Sequence, residues 1–160
     1  MMLACALAVP AALQAQHASA VPARDTVLFI CEHGTVRSLI AKLLFERYAS
    51  ELGLRMAAVS RGTAIDSVVP PWLRTALTAD QFALGSWRPQ TLRVRDVQSA
   101  RYVVSFDLPV AVSAAARGSR AQWNDLPSVT SDYITGRDAI ASRVRQLVDS
   151  LYQSNSQRRK

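Results

Sequence analysis

The sequence predicts a doubly wound α/β domain, a four-stranded parallel sheet with helices on both faces. Strand-like and helix-periodic segments alternate along the chain, the order that βαβ crossovers require. The first apolar segment, TVLFIC at 26–31, is continuous rather than alternating, as a strand covered on both faces is. With 160 residues, 49% of them apolar, and no internal repeat, one domain with a single core is expected.

Each element has its own signal. After the first strand, Ile40, Leu43, Leu44, Tyr48 and Leu52 recur at three-to-four spacing on one helical face, and Gly53 supplies the stop. RMAAVS at 55–60 reads as the second strand, ended by Arg61-Gly62-Thr63. Pro70-Pro71 marks a turn, and WLRTALTADQFAL at 72–84 suits a helix closed by Gly85. ARYVVSFD at 100–107 is the third strand, VAVSAAAR before Gly118 a short helix, and RAQWND at 120–125 a fourth strand of weaker pattern. The last helix places Ile140, Val144, Leu147, Val148 and Leu151 on one face, with Ser131 or Thr135 as its cap.

The ends of the chain read differently. Residues 1–23 carry no Lys, Arg, Asp or Glu, and their apolar run ends in Ala18-Ser19-Ala20. That pattern predicts a leader over 1–20 and an exported protein, with a cytoplasmic one expected if the leader is not used. The run is too short and too broken by Pro10, Gln14 and Gln16 to span a bilayer, so no stable membrane insertion is expected. Residues 26–152 form the expected domain and 153–160 a basic tail. The net charge of +7 is spread from Arg24 to Arg159, which makes no nucleic-acid stripe but suits a surface that attracts anionic substrates. Cys5 lies within the expected leader, which leaves Cys31 alone in the remaining chain and forbids an internal disulfide.

Cys31 opens the loop Cys31-Glu32-His33-Gly34-Thr35-Val36-Arg37-Ser38, between the first strand and the first helix. Five residues between cysteine and arginine let the backbone curl until its N–H groups point inward, and the helix adds its positive dipole end. A phosphate-like dianion fits that nest, so Glu32, His33, Gly34, Thr35, Val36, Arg37 and Ser38 are the expected binding residues. The field that holds the anion also favours a nucleophilic sulfur at Cys31. Arg37 can grip two oxygens with its planar fork, Gly34 can adopt a positive φ, and Ser38 is placed to donate a hydrogen bond to the sulfur. His33 lacks a second histidine downstream and is expected as a loop side chain rather than a metal ligand.

This loop resembles that of the low-molecular-weight protein tyrosine phosphatases and their arsenate-reductase relatives: cysteine, five residues, arginine, serine after a first strand. Ser60-Arg61-Gly62-Thr63 resembles the family's Ser-Ala-Gly-Thr, ARYVVSFD its third strand ending in an acid, and WNDLP at 123–127 its general-acid loop. The resemblance spans about 26–152 and implies the phosphotyrosine phosphatase I-like fold, with no cofactor and no metal. It implies attack by Cys31 on phosphorus, charge stabilisation by Arg37 and the loop amides, and proton donation by an aspartic acid. The implied partners are a phosphorylated protein, a small aryl phosphate or another oxyanion.

The chain departs from the family in two places. Asp125 is followed by Leu126 before Pro127, so the acid is either displaced by one position or lost; Asp125 is the expected donor and Asp132 the second choice. Glu32 and His33 stand where the family has small and amide residues, and Glu32 brings a negative charge to an anion site at a cost of about 1 kcal/mol when solvated. Two other functions fit the same residues: arsenate reduction with an external thiol, and a non-catalytic oxyanion-binding domain.

Overall fold

In the computed structural model, residues 25–157 are described, so the expected leader lies outside them. Four strands, β1 (Thr26–Cys31), β2 (Ala57–Gly62), β3 (Tyr102–Ser105) and β4 (Ser119–Gln122), form one sheet in the order β2-β1-β3-β4, every neighbouring pair parallel. Helix α1 (Arg37–Glu51), α2 (Pro71–Ala79) and α4 (Tyr133–Gln157) contribute to the larger apolar cluster on one face, and α3 (Val94–Ser99) to the smaller cluster on the other. The doubly wound sheet expected from the sequence is therefore the fold. Among the described residues no helix is long and apolar enough to cross a membrane.

β1 is central because it is the most apolar strand. Val27, Leu28, Phe29 and Ile30 are all fully buried, alternate residues serving the two clusters. Phe29 meets three rings: Phe45 of α1 and Trp123 beyond β4, each with its centroid 6.1 Å away, and Phe106 beyond β3 at 6.5 Å. Removing so large a buried ring costs roughly 3–5 kcal/mol. The rings hold together the carboxyl ends of β1, β3 and β4, the edge at which open parallel sheets bind ligands.

Several boundaries differ from expectation. β2 begins two residues late, at Ala57, and runs to Gly62 so that Cys31 pairs with Gly62. α2 stops at Ala79 rather than near Leu84. Gln81 takes φ 64°, the Phe82 amide donates to Leu77 O at 2.8 Å and the Gln81 amide to Thr78 O at 3.0 Å, a helix-ending motif made without glycine. Burial of Phe82 against the Arg47 guanidinium, 3.7 Å above its ring, draws the chain inward there. The expected helix at 110–117 is only a 3₁₀ turn, Val110–Ser113, and α3 has no counterpart among the expected elements. β4 is Ser119–Gln122, not 120–125. α4 extends to Gln157 and takes in the start of the expected tail, and its first turn is capped by Asp132 rather than Ser131 or Thr135: the Thr135 amide and hydroxyl donate to Asp132 at 3.1 and 2.6 Å.

Candidate active site

The loop 31–37 joins the carboxyl end of β1 to the first residue of α1. Val36 precedes the helix with φ −103° and ψ −90°, and no side chain caps it, which leaves the first-turn amides to the loop's own concavity. Gly34 sits at φ 69°, as the inward curl requires. It is pressed against β2: a Cβ on Gly62 would lie 2.7 Å from Gly34 N and 2.8 Å from His33 C, so only glycine allows the two backbones this approach.

The segment after β2 runs alongside the loop and is zipped to it. The amides of Thr63, Ala64 and Asp66 donate to the carbonyls of Cys31, Glu32 and His33 at 3.3, 2.8 and 3.3 Å. These bonds occupy the carbonyls of Cys31, Glu32 and His33, while among the described residues the amides of Glu32 through Val36 donate to no backbone carbonyl. Side chains complete the brace. Ser60 Oγ donates to Ser38 Oγ at 2.8 Å and lies 3.1 Å from Gly34 O. Thr35, fully buried, donates through Oγ1 to Asp66 Oδ2 at 2.6 Å.

Cys31 is buried, and its Sγ is 2.9 Å from Ser38 Oγ. A thiolate can only accept a hydrogen bond, so when Cys31 is ionised the Ser38 hydroxyl is the donor across this contact. Arg37 stands at the helix start with its side chain about one-quarter exposed, and Nη1 is paired with Asp107 Oδ2. Asp107 lies just past β3 with φ 49°, and its amide donates to Asn124 Oδ1 at 3.0 Å. Arg37 thus already has one carboxylate partner.

His33 stands between two carboxylates. Its Nδ1 is 3.4 Å from Asp66 Oδ1 and its Nε2 3.8 Å from Glu32 Oε2. The two acids face opposite nitrogens of the ring and do not converge on one point. Among the described residues no group of three or more His, Cys, Asp or Glu is placed to hold a metal ion.

The structure therefore brings Cys31, the loop 32–36, Arg37 and Ser38 together. The Asp125 carboxylate is paired with Arg143 of α4 and is about two-thirds exposed, while Asn124 beside it accepts from the Asp107 amide. Asp132 is occupied as the cap of α4, where the hydroxyl and amide of Thr135 hold its carboxyl below the usual carboxylate range, the wrong direction for a proton donor. Two residues not singled out from the sequence matter here. Asp107 was visible only as the acid ending the third-strand segment, and Asp66 had no signal, because its partners lie 31 and 33 residues away.

The family model described as low molecular weight phosphotyrosine protein phosphatase matches residues 26–124. No curated protein sequence matches the chain. Solved structures do match. A thioredoxin-dependent arsenate reductase from Corynebacterium glutamicum is 24% identical with a TM-score of 0.63 over 86% of this chain, which spans 65% of that protein's length. A low molecular weight protein tyrosine phosphatase from Bacillus subtilis is 22% identical, TM-score 0.67, over 81% of this chain and 99% of its own. An arginine phosphatase, YwlE, from Geobacillus stearothermophilus is 18% identical, TM-score 0.61, over 83% and 94%. At these identities the likeness speaks for the fold.

Proposed function

The chain belongs to the low-molecular-weight phosphotyrosine protein phosphatase family, and from that premise we propose that it is a cysteine-dependent phosphatase acting on aryl or protein phosphate monoesters through a phosphocysteine. The observation that carries this reading is the 2.9 Å contact between Cys31 Sγ and Ser38 Oγ at the base of a loop whose other end is Arg37.

The chemistry follows from the parts. The Cys31 sulfur attacks phosphorus in line. The amides of Glu32 through Arg37 and the guanidinium of Arg37 stabilise the charge on the three equatorial oxygens, in place before the reaction begins. Ser38 stabilises the sulfur as a leaving group when water releases phosphate in the second step. The departing oxygen needs a proton. Asp125 is the donor suggested by the sequence, and in that role it would have to leave Arg143. Arsenate reduction at the same sulfur would draw its second thiol from elsewhere, since Cys31 is the one free cysteine among the described residues.

The test is hydrolysis of p-nitrophenyl phosphate by the purified protein beside Cys31→Ser. We expect turnover in the wild type and none above background in the variant, with a phosphoenzyme trapped on Cys31 by acid quench. Equal rates for the two proteins would end the phosphatase reading. Arsenate turnover with glutathione, without phosphate release, would move the protein to the reductase chemistry.

A further inference from the structure

We propose that His33, oriented by Asp66, is the proton donor to the leaving group and the base that activates water, in place of the aspartic acid expected at Asp125. The inference rests on the phosphatase reading of the site.

Three features lead to it. The role is open, because Asp125 is paired with Arg143, Asp132 is tied up as a helix cap and Asp107 is paired with Arg37. His33 is two residues from the nucleophile, and its side chain is about half exposed. Its setting is built rather than incidental. Asp66 faces Nδ1, its own carboxylate is fixed by the buried Thr35 hydroxyl, and its amide is bonded to His33 O. A carboxylate beside one ring nitrogen leaves the other for proton transfer. Glu32, 3.8 Å from Nε2, is beyond hydrogen-bond distance and does not occupy that nitrogen. The charged groups beside the ring are Glu32 and Asp66.

The atoms balance. In the first step the S–P bond forms as the P–O bond to the leaving group breaks, and the Nε2 proton passes to the departing oxygen. The alcohol or phenol leaves, and His33 remains neutral with its Nδ1 proton toward Asp66. In the second step water attacks phosphorus, the S–P bond breaks, and Nε2 takes a proton from the water. Phosphate, the thiolate and the imidazolium result. Asp66 is a positioning residue in this scheme, and His33 the catalytic one.

A general acid matters most when the leaving group is poor, so the test is leaving-group dependence. Wild type, His33→Gln, Asp66→Asn and Asp125→Asn are compared on phenyl phosphate and 2,4-dinitrophenyl phosphate. We expect His33→Gln to lose about 100-fold in kcat/KM on phenyl phosphate, the usual contribution of such a group, and at least tenfold less on the dinitrophenyl ester. Asp66→Asn should show the same pattern in weaker form, with inhibition by inorganic phosphate retained, a split that mere loosening of the loop would not give. Equal losses on both esters, or the leaving-group pattern in Asp125→Asn with none in His33→Gln, would overturn the assignment while leaving the phosphatase intact. Absence of wild-type turnover above Cys31→Ser on either ester would remove both.

Discussion

Arg37 has two claims on it. Its guanidinium is paired with Asp107, and the proposed chemistry asks it to hold two phosphate oxygens as well. A carboxylate beside an oxyanion site both aims the arginine and competes with the ligand. Because both side chains are partly exposed, the pair is screened and contributes on the order of 1 kcal/mol. Asp107→Asn keeps the shape and the backbone bond to Asn124, so it should tighten inorganic phosphate binding by about fivefold, the equivalent of that energy. The competitive inhibition constant of phosphate reads it directly, and unchanged or weakened binding would mean that Asp107 serves mainly to aim Arg37. The sequence put Cys31, Arg37 and Ser38 in one loop because their relation is local. It could not pair Arg37 with an acid 70 residues away, nor show that Asp125 is taken by Arg143 of α4.

At the scale of elements, the same distinction explains which boundaries were legible. α1 ends where Gly53 predicts, with φ 64° and the Leu54 amide bonded to Ala49 O at 2.8 Å, because glycine makes that stop from its own conformational freedom. α2 ends early because burial of Phe82 imposes the turn on Gln81, a reason outside the local pattern. The loop of the candidate site depends on both kinds of information: its curl is local, but its rigidity comes from the segment after β2. The contact of Gly34 and Gly62 is the tightest part of that seam. Gly62→Ala would push a methyl group against the backbone of Gly34 and His33, a strain of about 1–3 kcal/mol. We expect a lower midpoint in urea unfolding and at least a tenfold loss of aryl phosphatase activity, since the displaced backbone carries the amides that the proposed chemistry uses. A variant as active as the wild type would show that the loop keeps its shape without this seam.

Across the whole molecule, the three helices on the larger-cluster face are tied at Asp80. The Arg47 guanidinium of α1 donates to Asp80 O at 2.7 Å, Tyr133 of α4 donates to Asp80 Oδ2 at 2.5 Å, and Arg137 reaches Asp80 Oδ1 at 3.2 Å. Asp80 directly follows α2, so one residue fixes α1 and α4 to its end. Burial, and next the hydrogen bond to Asp80, push the Tyr133 hydroxyl well above the usual tyrosine range. The sign for stability follows. A raised folded-state pKa leaves the stabilisation intact below the unfolded value, near pH 10. Above that pH the unfolded chain gives up its proton while the folded chain keeps it, so stability falls as pH rises. Tyr133→Phe removes the titrating group and the hydrogen bond together. It should be less stable by about 1 kcal/mol at pH 7, and its urea midpoint should decline less than that of the wild type between pH 9.5 and 11. Parallel declines in the two proteins would place the alkaline sensitivity elsewhere than at this junction of α1, α2 and α4.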